Sequence, residues 1–124
     1  MLGQVLAISL GASIGANLRY FGGLWIRDFS KDGFPWPTLS INLLGSLVIG
    51  FVAFTATRND WPEVWKLFLI VGLLGGFTTF SAFSQENLSL IQDGKWLPML
   101  SYTLVSVGGG LALAWIGSAF AQQG

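Results

Sequence analysis

Long stretches without a charge, separated by short polar ones, organise the chain: the charge-free runs cover residues 1–18, 33–57, 67–85 and 96–124. At about 1.5 Å per residue, each is long enough to cross a hydrocarbon core of about 30 Å as a helix. The pattern predicts a first span from about Leu2 to Ile26, ended by Arg27, Asp28, Lys31, Asp32 and the helix-breaking run GFPWP at 33–37. A second span starts near Trp36, an aromatic at headgroup depth, and ends at Arg58, Asn59 and Asp60; Trp61, Pro62 and Trp65 mark the next loop. The third span runs from about Lys66 to Ile91 and closes in the turn QDGK at 92–95, and the fourth runs from Trp96 to about Phe120. Short loops make consecutive spans antiparallel neighbours, so the expectation is an all-α membrane protein of four transmembrane helices in one domain, 1–124.

The third span is expected to be broken. In GLLGGFTTFSAFSQE, Gly75 and Gly76 precede Thr78 and Thr79, placing two poor helix formers and two β-branched residues at mid-span. Unwound backbone at membrane depth is tolerated where protein buries it, or where it lines a cavity or binds an ion. After the break, Phe80 and Phe83 share a face with Ser81 and Ser84 beside them. Such a pair usually just packs; here it borders an irregular backbone, and an aromatic ring has a positive edge that stabilises a partly dehydrated anion.

Composition narrows the class. The chain is 52% hydrophobic and 10% charged, with a mean hydropathy of +0.64, which places it among membrane proteins. It has no cysteine and no histidine, which removes thiol chemistry and the commonest general base and metal ligand, so an enzyme is not expected. The apolar N-terminus lacks a basic leader and is read as the first span, not as a removable signal. Six basic and six acidic residues balance, giving no patch for nucleic acid.

The charges barely choose an orientation. Arg27, Lys31 and Lys95 lie on the face of loops one and three, against Arg58 and Lys66 in loop two. Two readings stand: one fixed orientation tipped by Arg19 or the terminal amine, or insertion both ways round into an antiparallel homodimer.

Polar residues fall at helical spacing inside the spans. Gly11, Gly15 and Arg19 are four apart on span one; the glycines serve close packing. A guanidinium inside a span costs at least about 2.5 kcal/mol unless it snorkels or finds partners, so Arg19 either raises anion concentration at a pore mouth or anchors a loop. Thr38, Asn42 and Ser46 make a stripe on span two, and Tyr102, Ser106 and Gly110 one on span four. Asn42 is either glue between helices or a pair of donors for an anion, offered without a fixed charge that would trap it.

These segments (GASIGANLRY, PTLSINLLGSLVIG, GLLGGFTTFSAFSQE and YTLVSVGGGLALA, in that order over essentially the whole chain) resemble the CrcB or Fluc family of fluoride channels, with GGFTTFSAF the most specific. The resemblance implies a dual-topology antiparallel homodimer with two fluoride pathways, each built from both subunits, acting as a passive exit for cytoplasmic fluoride across the inner or plasma membrane. By matching position, Asn42 would hydrogen-bond fluoride, Phe80 and Phe83 would present ring edges, and Arg19 would stand near the vestibule. Tyr102, Ser106 and Glu86 would lie pore-side, with Thr38, Thr79 and Ser81 contributing to the route. The backbone carbonyls of Gly75 and Thr78 would hold a central structural sodium, for which an oxygen-only ligand set is suitable. Ala82 and Gly110 stand where relatives often carry hydroxyls, so the polar track cannot depend on either.

Two rivals remain. A dual-topology exporter of organic cations needs a membrane-embedded acid to couple protons to substrate; span one has none, leaving Glu86. A non-transporting assembly subunit would use the same glycines and stripes for packing alone.

Overall fold

The computed structural model describes residues Met1–Gly124. It is entirely helical: α1 (Leu2–Phe29), α2 (Trp36–Arg58), α3 (63–77), α4 (Phe80–Gln92) and α5 (Trp96–Gln123). Within α3 the short helix Glu63–Lys66 runs into a π-helical stretch, Leu67–Leu74, and a last turn, Gly75–Phe77; α5 contains a π-helical stretch at Val105–Gly109. Three segments, Trp36–Arg58, Glu63–Gln92 and Trp96–Gln123, are long and apolar enough to cross a membrane. At 28 residues α1 is as long, but Gln4, Asn17, Arg19 and Arg27 make it more polar.

Local chemistry sets the ends. Asp32 accepts from the Trp36 indole N–H (3.0 Å) and the Phe34 amide (3.1 Å), which ties loop one to the start of α2. Those two hydrogen bonds, the indole's first, hold the Asp32 carboxyl below its ordinary value. Gly33 and Gly94 turn loops one and three at positive φ, and the Lys95 ammonium lies 3.8 Å from where a Cβ on Gly33 would stand, so the two loops share one end. At the other end Arg58 donates to the Gln122 carbonyl (3.4 Å).

Small residues set the packing. α1 buries Ala7, Gly11 and Gly15. A Cβ on Gly11 would collide with the Phe68 carbonyl oxygen and one on Gly15 with that of Leu73. From the facing side, Cβ atoms on Gly72 and Gly76 would come within 2.8 Å of the Ile8 oxygen and 2.7 Å of the Ala12 oxygen. Glycines spaced by four on both partners thus bring α1 and α3 into backbone contact. α2 and α5 meet the same way, Gly50 against Ala114 and Gly117 against Leu47.

A small core of Leu39, Leu90 and Tyr102, flanked by Phe34, Leu43, Phe83 and Met99, joins α2, α4 and α5. Large apolar side chains cover the outside, among them Leu10, Ile14, Phe21 and Trp25 of α1 and Leu104, Leu111 and Trp115 of α5. Such a surface suits hydrocarbon or another protein face.

Candidate functional site

Between α3 and α4 the chain leaves the helix for two residues. Thr78 (φ −87°, ψ 158°) and Thr79 (φ −151°, ψ 121°) are extended, whereas Gly75 and Gly76 remain helical. The irregularity therefore sits on the threonines rather than on the glycines, of which Gly76 packs against Ala12 of α1.

Asn42 of α2 binds this segment from both sides. Its Oδ1 accepts from the Thr79 amide (2.8 Å) and its Nδ2 donates to the Thr79 carbonyl (2.9 Å). The carboxamide acts as a surrogate peptide for the unwound residue and keeps one N–H uncommitted to Thr79. Gly45, one turn on, supplies the space: a Cβ there would collide with the Thr78 methyl.

The Thr79 hydroxyl then caps α4 by accepting from the Ala82 amide (3.2 Å), and lies 3.3 Å from the Ser81 hydroxyl. These bonds redirect donors. In an unbroken helix the Thr79 amide would serve the Gly75 carbonyl and the Ala82 amide that of Thr78; both amides are turned to side chains instead. The Gly76 carbonyl receives Arg19 Nε (3.2 Å), a cation at the negative end of α3. The interruption thus exposes two opposite poles in mid-bundle: carbonyls at the C-terminus of α3 and amides at the N-terminus of α4.

The aromatic pair follows directly. Phe80 and Phe83 have ring centroids 5.7 Å apart at an interplanar angle of 39°, and Phe83 lies 5.0 Å from the Tyr102 ring. Phe83 is half-buried, but Phe80 is 78% exposed, so its ring leaves the single chain beside the polar Thr79 and Ser81.

Glu86, Thr38 and Tyr102 form a tie across three helices. Thr38 Oγ1 donates to Glu86 Oε2 (2.9 Å) and the Tyr102 hydroxyl to Oε1 (2.9 Å), so each carboxylate oxygen already has a partner. Tyr102 is completely buried. Ser106 Oγ, one turn along α5, is buried with no hydrogen-bond partner, as is Asn87 Oδ1 on α4. An orphaned buried polar atom costs about 1–3 kcal/mol, so both positions merit interest, and nothing in the local sequence marks Asn87.

Two cavities meet this region. One of about 270 Å³ is lined by Arg19, Arg27, Thr38, Thr79, Ala82 and Glu86 among others. The second, of about 200 Å³, brings Asn42 and Ser46 together with Gly75 and Thr78. Ser46 Oγ lies 3.3 Å from the place a Cβ on Gly110 would take, so α2 supplies a hydroxyl next to a position where α5 has none. Sequence reasoning missed Gly45 and Arg27; Gly45 was signalled only by its place three residues after Asn42.

Residues 6–118 match the family model described as CrcB-like protein, Camphor Resistance (CrcB). A protein of Chloroflexus aurantiacus called fluoride-specific ion channel FluC is 49% identical over 117 residues, 94% of this chain and 93% of that protein. Proteins of the same name from Roseiflexus sp. (42% over 120 residues, 96% and 97% of the two chains) and Thermus thermophilus (43% over 114 residues, 92% and 90%) are also similar. The match covers every element described above, and the chain belongs to the CrcB-like family.

Proposed function

We propose that this chain is a fluoride-selective passive channel, not an enzyme, which lets cytoplasmic fluoride leave across the inner or plasma membrane. The observation that carries the proposal is the helix interruption held by Asn42, with a spare carboxamide donor and two phenylalanines at its edge. Fluoride is small and strongly hydrated; a pore that passes it needs several modest donors in a narrow path and none that traps it. One carboxamide N–H, ring edges and hydroxyls at Thr79, Ser81 and Ser106 fit that need better than a buried cation. The names of the relatives support the same substrate.

In this reading α1 is the fourth span. Its polar residues are tolerable because it is packed against α3 through glycines and because Arg19 reaches the Gly76 carbonyl. The working unit is an antiparallel homodimer of dual topology with two pathways. Support comes from Phe80: a ring 78% exposed beside polar groups is half of a lining, which a second subunit completes. Near-balanced basic loops are compatible with insertion in either direction.

A structural sodium belongs to the same proposal. The Gly75 and Thr78 carbonyls have lost their helical donors to Asn42 and Thr79, and both residues line one cavity. Oxygen-only ligation suits a hard cation, which would offset repulsion between anions on either side. The proton-coupled cation exporter loses ground, because Glu86, its one candidate acid, has both oxygens engaged.

A fluoride electrode tests the proposal on protein in liposomes. Fluoride should leave passively once charge is balanced by an ionophore. Release no faster than from empty liposomes, or release that requires an imposed pH gradient, would overturn it.

A further inference from the structure

The cavity of about 270 Å³ holds two guanidiniums, and only one is explained. Arg19 and Arg27 lie eight residues apart on α1, with Gly23 between them, and all three line the cavity together with Thr79 and Glu86. Two helical turns separate them, about 12 Å along the axis. Arg19, the deeper, spends its Nε on the Gly76 carbonyl and keeps its terminal nitrogens. Arg27, exposed at the last turn of α1, donates no side-chain hydrogen bond within the chain. The single carboxylate facing them, Glu86, is turned to Thr38 and Tyr102.

From this we infer that Arg27 forms an outer capture site for small inorganic anions, from which they pass to Arg19 and then to the amide end of α4 at Thr79. This rests on the channel reading. The cavity is lined by two positive groups and one negative, and low-dielectric walls focus that field at the mouth. An arginine with no committed partner and water on one side binds an anion briefly, whereas one buried among acceptors would hold it or not meet it. Passage is stepwise: about 12 Å along the α1 axis divides Arg27 at the rim from Arg19, and Arg19 in turn touches the end of α3 at the Gly76 carbonyl. Gly23 keeps the α1 face between the two guanidiniums free of side chain; a Cβ there would meet only Ile41 and Pro37, at 3.7 and 3.8 Å.

The test compares initial fluoride efflux from liposomes containing wild type, Arg27→Gln and Arg27→Lys, at about 10 mM and about 1 M ionic strength set with potassium isethionate. Screening lengths there are about 30 Å and about 3 Å, so a capture charge acts in the first and is masked in the second. Arg27→Gln should be slower by about threefold at low salt and equal to wild type at high salt. Arg27→Lys should follow wild type at both. Equal rates for Arg27→Gln and wild type at low salt, or the same loss at both salts, would overturn the capture site while leaving the channel reading intact. No fluoride release from wild type would remove both. Gel filtration of each variant before reconstitution identifies any loss due to misfolding; if Arg27→Gln misfolds, Arg27→Lys and Arg27→Met carry the same comparison.

Discussion

Asn42 and Thr79 are paired as two peptides are, N–H to oxygen in both directions at 2.8 and 2.9 Å. The carboxamide belongs to α2 and the peptide to the gap between α3 and α4. Neither partner is satisfied by its own helix, so the interruption exists only while α2 is docked beside it. Stability and transport should therefore fail together here. Asn42→Leu leaves the Thr79 amide and carbonyl unpaired, at about 1–3 kcal/mol each. Asn42→Asp keeps the acceptor but sets a carboxylate oxygen against the Thr79 carbonyl. Both should lower the thermal midpoint in detergent and slow fluoride efflux at least about tenfold, the effect of about 1.4 kcal/mol on a barrier. Wild-type flux in both would place the route elsewhere.

Phe80→Ile separates transport from folding. The ring is mostly outside the single chain and touches little that holds the bundle, so the unfolding free energy should change by less than about 0.5 kcal/mol. Fluoride efflux should fall at least about tenfold, because an aliphatic side chain has no positive edge. Unchanged efflux would remove the rings from the pathway.

Gly15 tests the contact between α1 and α3. Gly15→Ala adds a methyl that meets the Leu73 carbonyl oxygen and the Phe77 amide, and overpacking of this kind costs about 1–3 kcal/mol. Gly22→Ala, with nothing near its Cβ position, should be neutral. Thermal unfolding of the two side by side checks the difference.

Much of this was legible in the sequence, and the part that was not is non-local. Charge-free runs located the apolar helices because lipid admits few charges, and loop one could be read from Gly33, Pro35 and Pro37. The helix ends were misjudged by a few residues: Pro62 starts a helix at Glu63, before the expected Lys66, and α1 continues to Phe29. Charged residues are welcome at a helix end in the headgroup layer, so charge alone did not mark the boundary. Gly75 and Gly76 drew attention as helix breakers, yet they stay helical. For Gly76 the local preference is overruled by packing on Ala12, while Thr78 and Thr79 are pulled out by Asn42 and accommodated by Gly45. No window of sequence contains both halves of that arrangement. The same holds for Arg19, whose partner is 57 residues away, and for Tyr102, whose fully buried place against Glu86 cannot be inferred from its stripe.

Loop one should respond to acid. The Trp36 indole and Phe34 amide hold the Asp32 carboxyl below its ordinary value, so the charged form is favoured in the folded protein. The contribution is complete above the ordinary aspartate range and is lost as pH falls through the lowered folded-state value. The indole N–H resonance of Trp36 should shift in that acidic window and remain constant from pH 5 to 8. A titration centred at or above the ordinary aspartate value would contradict the contact.

The central claim is that a pathway built on the helix interruption passes fluoride and refuses larger anions. It is tested most directly in liposomes loaded with fluoride and chloride together, without a pH gradient, each anion followed by its own electrode after an ionophore balances charge. The account predicts rapid fluoride release while chloride stays inside. Chloride leaving alongside fluoride, or neither leaving, would contradict it.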